Sequence, residues 1–483
     1  MAFTEFCCRS GGSNLNAGTR TGNSTEPGTS ASFTYASGNW VASTGVFTVA
    51  SGNPSTDGVA VGDFASVYAD GSTVTGFVGR VTAVTSTTIT VSLTAKAGTA
   101  PTDGTGNRTL KIGGAWQGPN GTSGFPFGFI LNTLTNSTGE RPRVNFKNDA
   151  TYSISAAITH NVASGDFIQF QGYTSAYGDG GRAKIDGGTS GASYVLLTVG
   201  AAAQFVMITD FEFCNNGATG SADGTLLNAV LHRVVCHDVR GSGLVPNNTG
   251  MVWTECEAYA CNQSNTANKG GFAYGGTMGA FVRCIAHDNT GSNTRGFYIN
   301  GDVRTLLNCI AESNGSHGFD LSSVANVSNM YSGNDAYNNG GDGMRITTSG
   351  SMNARIENSN FVKNGGYGLN LSGGNRHGHL RNNGFGAGTQ ANTSGTINYP
   401  TLWMGEVSGT VTYASDVTPW VDPANGDFRI NLAAAKAAGR GSFTQTQASY
   451  SGTVGYPDIG AAQSQGSSSG GVRSVNIRGG ADQ

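Results

Sequence analysis

Charged side chains are scarce: Asp, Glu, Lys and Arg make up 12% of the 483 residues, against about 25% in an average globular protein. A surface helix needs charge on its solvent face, so the shortage excludes a long helical bundle and argues against an ordinary α/β enzyme. Proline is sparse too, with 11 residues, and glycine shows no every-third-residue period. Collagen is thereby excluded. No basic run occurs and the formal net charge is −3, so no nucleic-acid partner is expected. Long apolar runs are missing as well. The most apolar stretch, 194–208, is broken by Gly200 and Gln204, and no membrane span is expected. Residues 1–10 (MAFTEFCCRS) carry no basic region followed by an apolar segment, which predicts no Sec-type leader. The eight cysteines, Cys7, Cys8, Cys214, Cys236, Cys256, Cys261, Cys284 and Cys309, are too few for a secreted disulfide scaffold. Synthesis in a reducing cytoplasm is the simpler expectation. Neither a phosphate-binding loop nor an H-E-x-x-H motif is present, and no cofactor is expected.

What the chain has in excess is glycine, 76 residues, alongside 37% hydrophobic and 9% aromatic side chains. That is enough apolar material for a core. The combination reads as a turn-rich β-protein. Within it, a glycine followed by an apolar residue recurs at Gly243-Leu244, Gly271-Phe272, Gly296-Phe297, Gly318-Phe319, Gly343-Met344 and Gly368-Leu369, at intervals of 28, 25, 22, 25 and 25 residues. Aligning the segments on this period places Val234, Cys256, Cys284, Cys309, Asn334 and Ser359 in one column. Two residues on stand Cys236, Ala258, Ala286, Ala311, Ala336 and Phe361. Side chains two apart share one face of a strand, so both columns are expected to point inward. A third column, Asn289, Asn314, Asn339 and Asn364, repeats every 25 residues. Asn tolerates turn conformations and bonds neighbouring backbone, so these residues are expected to stack as a structural ladder at a corner.

With that ladder, the chain resembles the right-handed parallel β-helix superfamily, which includes pectate-lyase-like enzymes and phage spikes. The resemblance implies an all-β protein built as a single-stranded parallel β-helix of ten or eleven coils over residues 113–395. A small β-barrel or sandwich is expected at 31–112, preceded by an extended N-terminal arm at 1–30. A C-terminal β-rich cap is expected at 396–463, with a short helix at 432–438 and closing segments at 422–428 (DPANGDF) and 458–461 (DIGA). Residues 464–483 read as a flexible Gly/Ser-rich tail. The recurring glycines are expected to serve tight turns.

Candidate chemistry lies beside the inward columns, where His237, Tyr259, His287, Glu312 and Tyr337 align. His287 and Glu312 are expected one rung apart, about 4.8 Å, as a His–carboxylate pair. Asp238 and Asp288 align two rungs apart, about 9.6 Å, near the roughly 6.5–9.5 Å carboxyl separation of inverting glycosidases. The bland alternative has these side chains solvating outer faces and corners, since no aligned position offers a third charged partner. Arg233 and Arg283 recur without an acidic cluster, so a lyase motif is not recognisable. Cys256, Cys284 and Cys309 fit a buried ladder better than a disulfide or metal site, and no metal is expected. The tryptophans, Trp40, Trp116, Trp253, Trp403 and Trp420, read as packing residues.

Three readings of function follow, the first two from the resemblance. The first is a structural virion protein of a tailed phage, a head fibre, capsid decoration or tail-spike-like appendage. It would be a homo-oligomer, a trimer by preference, assembled in the host cytoplasm. Its contacts would run to other virion proteins through the N-terminal arm or domain, and to surface polysaccharide. The alternative is a polysaccharide-degrading β-helix enzyme, a glycoside hydrolase or lyase, released outside the cell by a non-Sec route. A cell-surface adhesion module is the third reading.

Overall fold

A computed structural model describes residues 3–432 apart from short stretches, the longest of them 128–140, 161–166 and 387–396. The fold is all-β, with one four-residue helix, Pro54–Asp57, and a 3-10 turn, Pro423–Asn425, among the described residues. No described helix is long and apolar enough to cross a membrane. Three parallel sheets of 12, 10 and 11 strands run side by side along a solenoid. In the second sheet Phe297 pairs in register with Phe319, Phe319 with Met344, and Met344 with Leu369. The glycine–apolar repeat therefore marks one register position of the second sheet: it opens the strands that begin at Leu244, Phe319, Met344 and Leu369 and falls inside Lys269–Tyr274 and Thr294–Asn300.

Those glycines serve a purpose other than the expected one. None of Gly243, Gly271, Gly296, Gly318, Gly343 and Gly368 has a left-handed backbone. A Cβ at Gly318 would instead stand 2.7 Å from the Gly343 carbonyl oxygen and 2.9 Å from Asn339 Nδ2. Close approach between rungs, not turn geometry, excludes a side chain here. The sharp bends fall elsewhere. Every three-residue strand of the third sheet from Val235–His237 to Asn360–Val362 is flanked by left-handed residues. Asp210, Arg233, Glu255, Arg283, Asn308, Gly333 and Asn358 form the column before these strands, and Asn215, Asp238, Ala260, Asp288, Ser313, Asn338 and Lys363 the column after. Asn and Asp are prominent in both because they adopt this conformation more readily than other side chains.

Inside the solenoid, Ala258, Ala286, Ala311, Ala336 and Phe361 follow one another in register and are fully buried. Asn289, Asn314, Asn339 and Asn364 are buried too, and each Nδ2 donates to the next Oδ1 at 2.7, 2.8 and 2.9 Å. The same Nδ2 atoms also reach backbone carbonyls of Ala258, Ala286, Ala311 and Ala336. Cys284 Sγ and Cys309 Sγ lie 3.4 and 3.5 Å from the carbonyls of Trp253 and Phe281. All eight cysteines are free and buried. Trp40, Trp116, Trp253 and Trp420 are buried as well.

Both ends of the solenoid differ from the sequence expectation. Residues 1–30 are not an extended arm: Thr4–Cys8 is a fully buried strand paired in parallel with Pro142–Lys147. Phe6 lies flat on Trp116 at 5.1 Å, while Asn14 Oδ1 accepts from the N–H groups of Gln117 and Gly118. Apolar side chains on both faces of TEFCC give this segment a place in the chain's own first rung. Residues 33–112 form a closed six-stranded barrel, and its Phe64 and Val78 join the solenoid core. The barrel thus shields the apolar end that a solenoid would otherwise expose. At the other end the sheets continue past 395 through Ile397–Asn398, Trp403–Ser408 and Val411–Tyr413. Backbone pairing goes on after the Asn ladder stops. The expected helix at 432–438 lies beyond Leu432 outside the described residues, as do 458–461 and the tail 464–483.

Candidate active site

Because the middle residue of each three-residue strand points inward, the flanking two face out. The outward positions of the third sheet, read along the solenoid, are Lys184 and Asp186, Glu212 and Cys214, Val235 and His237, Glu257 and Tyr259, Ile285 and His287, Ile310 and Glu312, then Asp335 and Tyr337. His237, Tyr259 and His287 stack as parallel rings, 4.6 and 5.0 Å between centroids. Their spacing follows that of the strands, about 4.8 Å.

Each histidine is gripped from both sides. His237 Nδ1 lies 2.7 Å from Asp238 Oδ2, and its Nε2 lies 3.2 Å from Glu212 Oε1. His287 repeats the arrangement with Asp288 Oδ2 at 2.8 Å and Glu257 Oε1 at 3.0 Å. Two ring nitrogens facing carboxylates favour the imidazolium, which alone donates from both. Burial opposes charge on either ring, but the hydrogen bonds to their carboxylates outweigh it and both proton affinities are raised. In return His237, followed by Lys184, holds Glu212 down to about 2 against its own burial, and His287 lowers Glu257.

His287 is not paired with Glu312 as the sequence reading expected. Its hydrogen-bond partners are Asp288 and, from the preceding rung, Glu257. The third charged partner is present after all. It was hidden because it reaches diagonally, from two residues earlier on the neighbouring strand, rather than along an aligned column. Arg233 and Arg283 hold a similar surprise. They bind Asp210 and Glu255 of the preceding rung at the left-handed corner, so acidic partners do accompany them.

Glu312 stands on the rung beyond His287, half-buried, with no acid-lowering hydrogen bond. Burial pushes its carboxyl up to about 7, with Asp288 adding to the rise and His287 opposing it. Further along, the surface closes over. Trp420 and Phe428, from the hairpin of Trp420–Asp422 and Asp427–Ile430, cover Ile310, Tyr337 and Val362. Trp420 Nε1 donates to Asp335 Oδ2 at 3.1 Å. The hairpin ends the polar row at Glu312.

Among the described residues, Glu212, Cys214 and His237 are the group nearest to a metal site, their ligand atoms within 4.8 Å of one another. Lys184 Nζ, however, sits 2.9 Å from Glu212 Oε1, and burial pushes the Cys214 thiol up to about 12. A lysine ammonium already neutralises the carboxylate, and the thiolate a metal would need is disfavoured.

Residues 201–385 match the family description "Right handed beta helix region". No curated protein matches the chain. Similar solved structures include pectate lyase Pel9A, 17% identical over 72% of this chain and 96% of that one, with a TM-score of 0.49. The A-module of mannuronan C-5 epimerase AlgE4 from Azotobacter vinelandii is 16% identical over 58% of this chain and 82% of that one, with a TM-score of 0.41. The catalytic domain of a GH87 alpha-1,3-glucanase in complex with nigerose is 10% identical over 79% of this chain and 87% of that one, with a TM-score of 0.27.

Proposed function

We propose that the outward row of the third sheet is the active site of a polysaccharide-degrading enzyme, a glycoside hydrolase. One observation carries the reading: Glu312, half-buried on the outward row with its carboxyl pushed up to about 7 by burial, lies one rung from an exposed carboxylate, Asp288, that is fixed by His287. Hydrolysis of a glycosidic bond requires such a pair, one carboxylic acid to give a proton and one carboxylate to receive one. Glu312 donates its proton to the departing glycosidic oxygen. Asp288 takes the proton of the attacking water, whose oxygen bonds to the anomeric carbon. Glu257 and His287 hold Asp288 in position throughout, so the base does not need to be oriented at the moment of reaction.

A passive shaft of a phage particle is the competing reading of the same solenoid. It needs only the buried ladders and leaves the row of gripped histidines without a role. The two part in a depolymerisation assay on a panel of neutral and acidic polysaccharides, with released reducing ends measured. At least one polymer is expected to be cut without an unsaturated product. Glu312→Gln and Asp288→Asn should each lower the rate about 100-fold or more while thermal unfolding of both variants still gives a single folded transition. No cleavage of any polymer, or full activity in Glu312→Gln, would overturn the enzyme reading.

A further inference from the structure

We propose that the cleft beside Asp288 binds a neutral glycosyl unit, which makes the substrate of the row an uncharged polysaccharide. The inference rests on the hydrolase reading above and names its substrate class.

The cleft is a product of irregular spacing. From the last strand residue of the third sheet to the glycine at the matching register position of the second sheet, the chain takes six residues after His237, Glu312, Tyr337 and Val362, but twelve after Tyr259 and nine after His287. Two consecutive rungs thus carry extra chain at one corner. The excess after Tyr259 folds outward, with Asn262, Asn265 and Asn268 in left-handed conformations beyond the one at Ala260 that the neighbouring rungs share. Between the two enlarged corners lies a cleft of about 320 Å³, at the small end of the roughly 300–1,000 Å³ typical of ligand sites. One sugar ring suits that size.

Its polar lining is amide and hydroxyl, Asn262, Gln263, Asn265 and Thr290, with Asp288 the only charged member among the described residues. Side-chain amides both donate and accept, as sugar hydroxyls require of a partner. Gln263 Nε2 donates to Asp238 Oδ1 at 3.3 Å, tying the loop to the row of histidines. Asp288 belongs to both places, since its other contact is His287 Nδ1. A unit in the cleft is therefore next to the proposed base. Among the described residues no lysine or arginine lines the cleft, and the adjoining row adds Glu212, Glu257, Asp238 and Glu312 against Lys184, the nearby Arg182 and two histidines. A uronate would bring its carboxylate against Asp288, and the cation beside that residue, the His287 imidazolium, is already held between Asp288 and Glu257.

Calorimetric titration of the full chain carrying Glu312→Gln, with neutral hexaoses of glucose, galactose, mannose and xylose and with hexagalacturonate, tests this without turnover. At least one neutral hexaose should bind, with hexagalacturonate about ten-fold weaker or worse. Adding Thr290→Trp, a substitution at an exposed position that fills the cleft, should weaken the neutral ligand about ten-fold or more. If that variant unfolds earlier on heating, Gln263→Ala in the exposed loop takes its place. Hexagalacturonate binding as tightly as the neutral sugars, no neutral hexaose binding, or binding indifferent to both variants would overturn the proposal. Neutral binding through the cleft in a chain whose wild type cuts nothing would keep the cleft and remove the hydrolase.

Discussion

Two stretches of one solenoid solve the same corner differently. From Glu312 onward the corner between the third and second sheets takes six residues per rung and is filled by a chain of buried amides. After Tyr259 and His287 it takes twelve and nine residues and opens outward. The regular stretch cannot vary because Asn314, Asn339 and Asn364 must each meet the next at hydrogen-bond distance while a glycine passes beside them. The irregular stretch lies where that chain begins: Asn289 is its first member, and the position before it is held by Cys261, whose N–H donates to Asn289 Oδ1. Regularity is thus a property of buried polar groups that satisfy one another. Departures from it gather beside the row of ionisable side chains.

The sharpest way to break this comparison is to remove one amide from the regular stretch. Asn339 Nδ2 donates to Ala311 O and Asn364 Oδ1, while its Oδ1 accepts from the backbone and side chain of Asn314. In Asn339→Leu these partners stay buried and lose their bonds, at about 1–3 kcal/mol for each group left unsatisfied. A loss of about 3 kcal/mol in denaturant unfolding is expected. A loss below about 1 kcal/mol would mean that the ladder does not fix the corner.

That ladder was legible in the sequence because its period is short and its residue type invariant. The inward Cys and Ala columns were legible for the same reason, since register in a parallel sheet repeats with the coil. The candidate site was only half legible. His287, Asp288 and Glu312 stand in or beside an aligned column, but Glu212 and Glu257 reach their histidines from an offset position, which no column of aligned residues displays. The first rung escaped notice because Thr4–Cys8 lies more than 130 residues from its partner strand Pro142–Lys147, with the whole barrel between them. The enlarged corners did leave a signal. The 28-residue interval before Gly271 and the count from His287 to Gly296 depart from the ladder, and such departures are where a solenoid builds surface.

A smaller effect sharpens the comparison through pH. Glu312 is raised to about 7 by burial, above the roughly 4.3 of an unfolded glutamate. Its folded state therefore favours the protonated form, and the stability this gives is complete below about pH 4 and lost as pH rises through 7. Glu212 behaves oppositely. Held near 2 by His237 and Lys184, it stabilises above about pH 4 and loses that contribution only on strong acidification. Relative to wild type, Glu312→Gln should gain stability between pH 4 and 7 in unfolding measured at successive pH values. The two raised histidines are present in both proteins, so the difference between the curves isolates the glutamate. A difference independent of pH would place Glu312 in ordinary solvent and remove the distinction between the row and an exposed corner.

The smallest expected effect is also the most direct control on the chemistry of the amide itself. Asn265, in the enlarged corner, accepts from Asn293 N–H at 2.9 Å and donates to Ser292 Oγ at 3.2 Å, so it bridges two rungs as Asn339 does. Its surroundings are exposed, so water replaces the bonds that Asn265→Gly removes, and glycine accepts the left-handed backbone at this position. The expected cost in denaturant unfolding is within about 0.5 kcal/mol, several-fold less than for Asn339→Leu. If the two substitutions cost alike, burial is not what separates the stretches, and the enlarged corner is as much a part of the solenoid's framework as the ladder. If they differ as expected, the same side chain serves as framework in one rung and as replaceable surface in another, which leaves the corner beside Asp288 free to be shaped by a ligand.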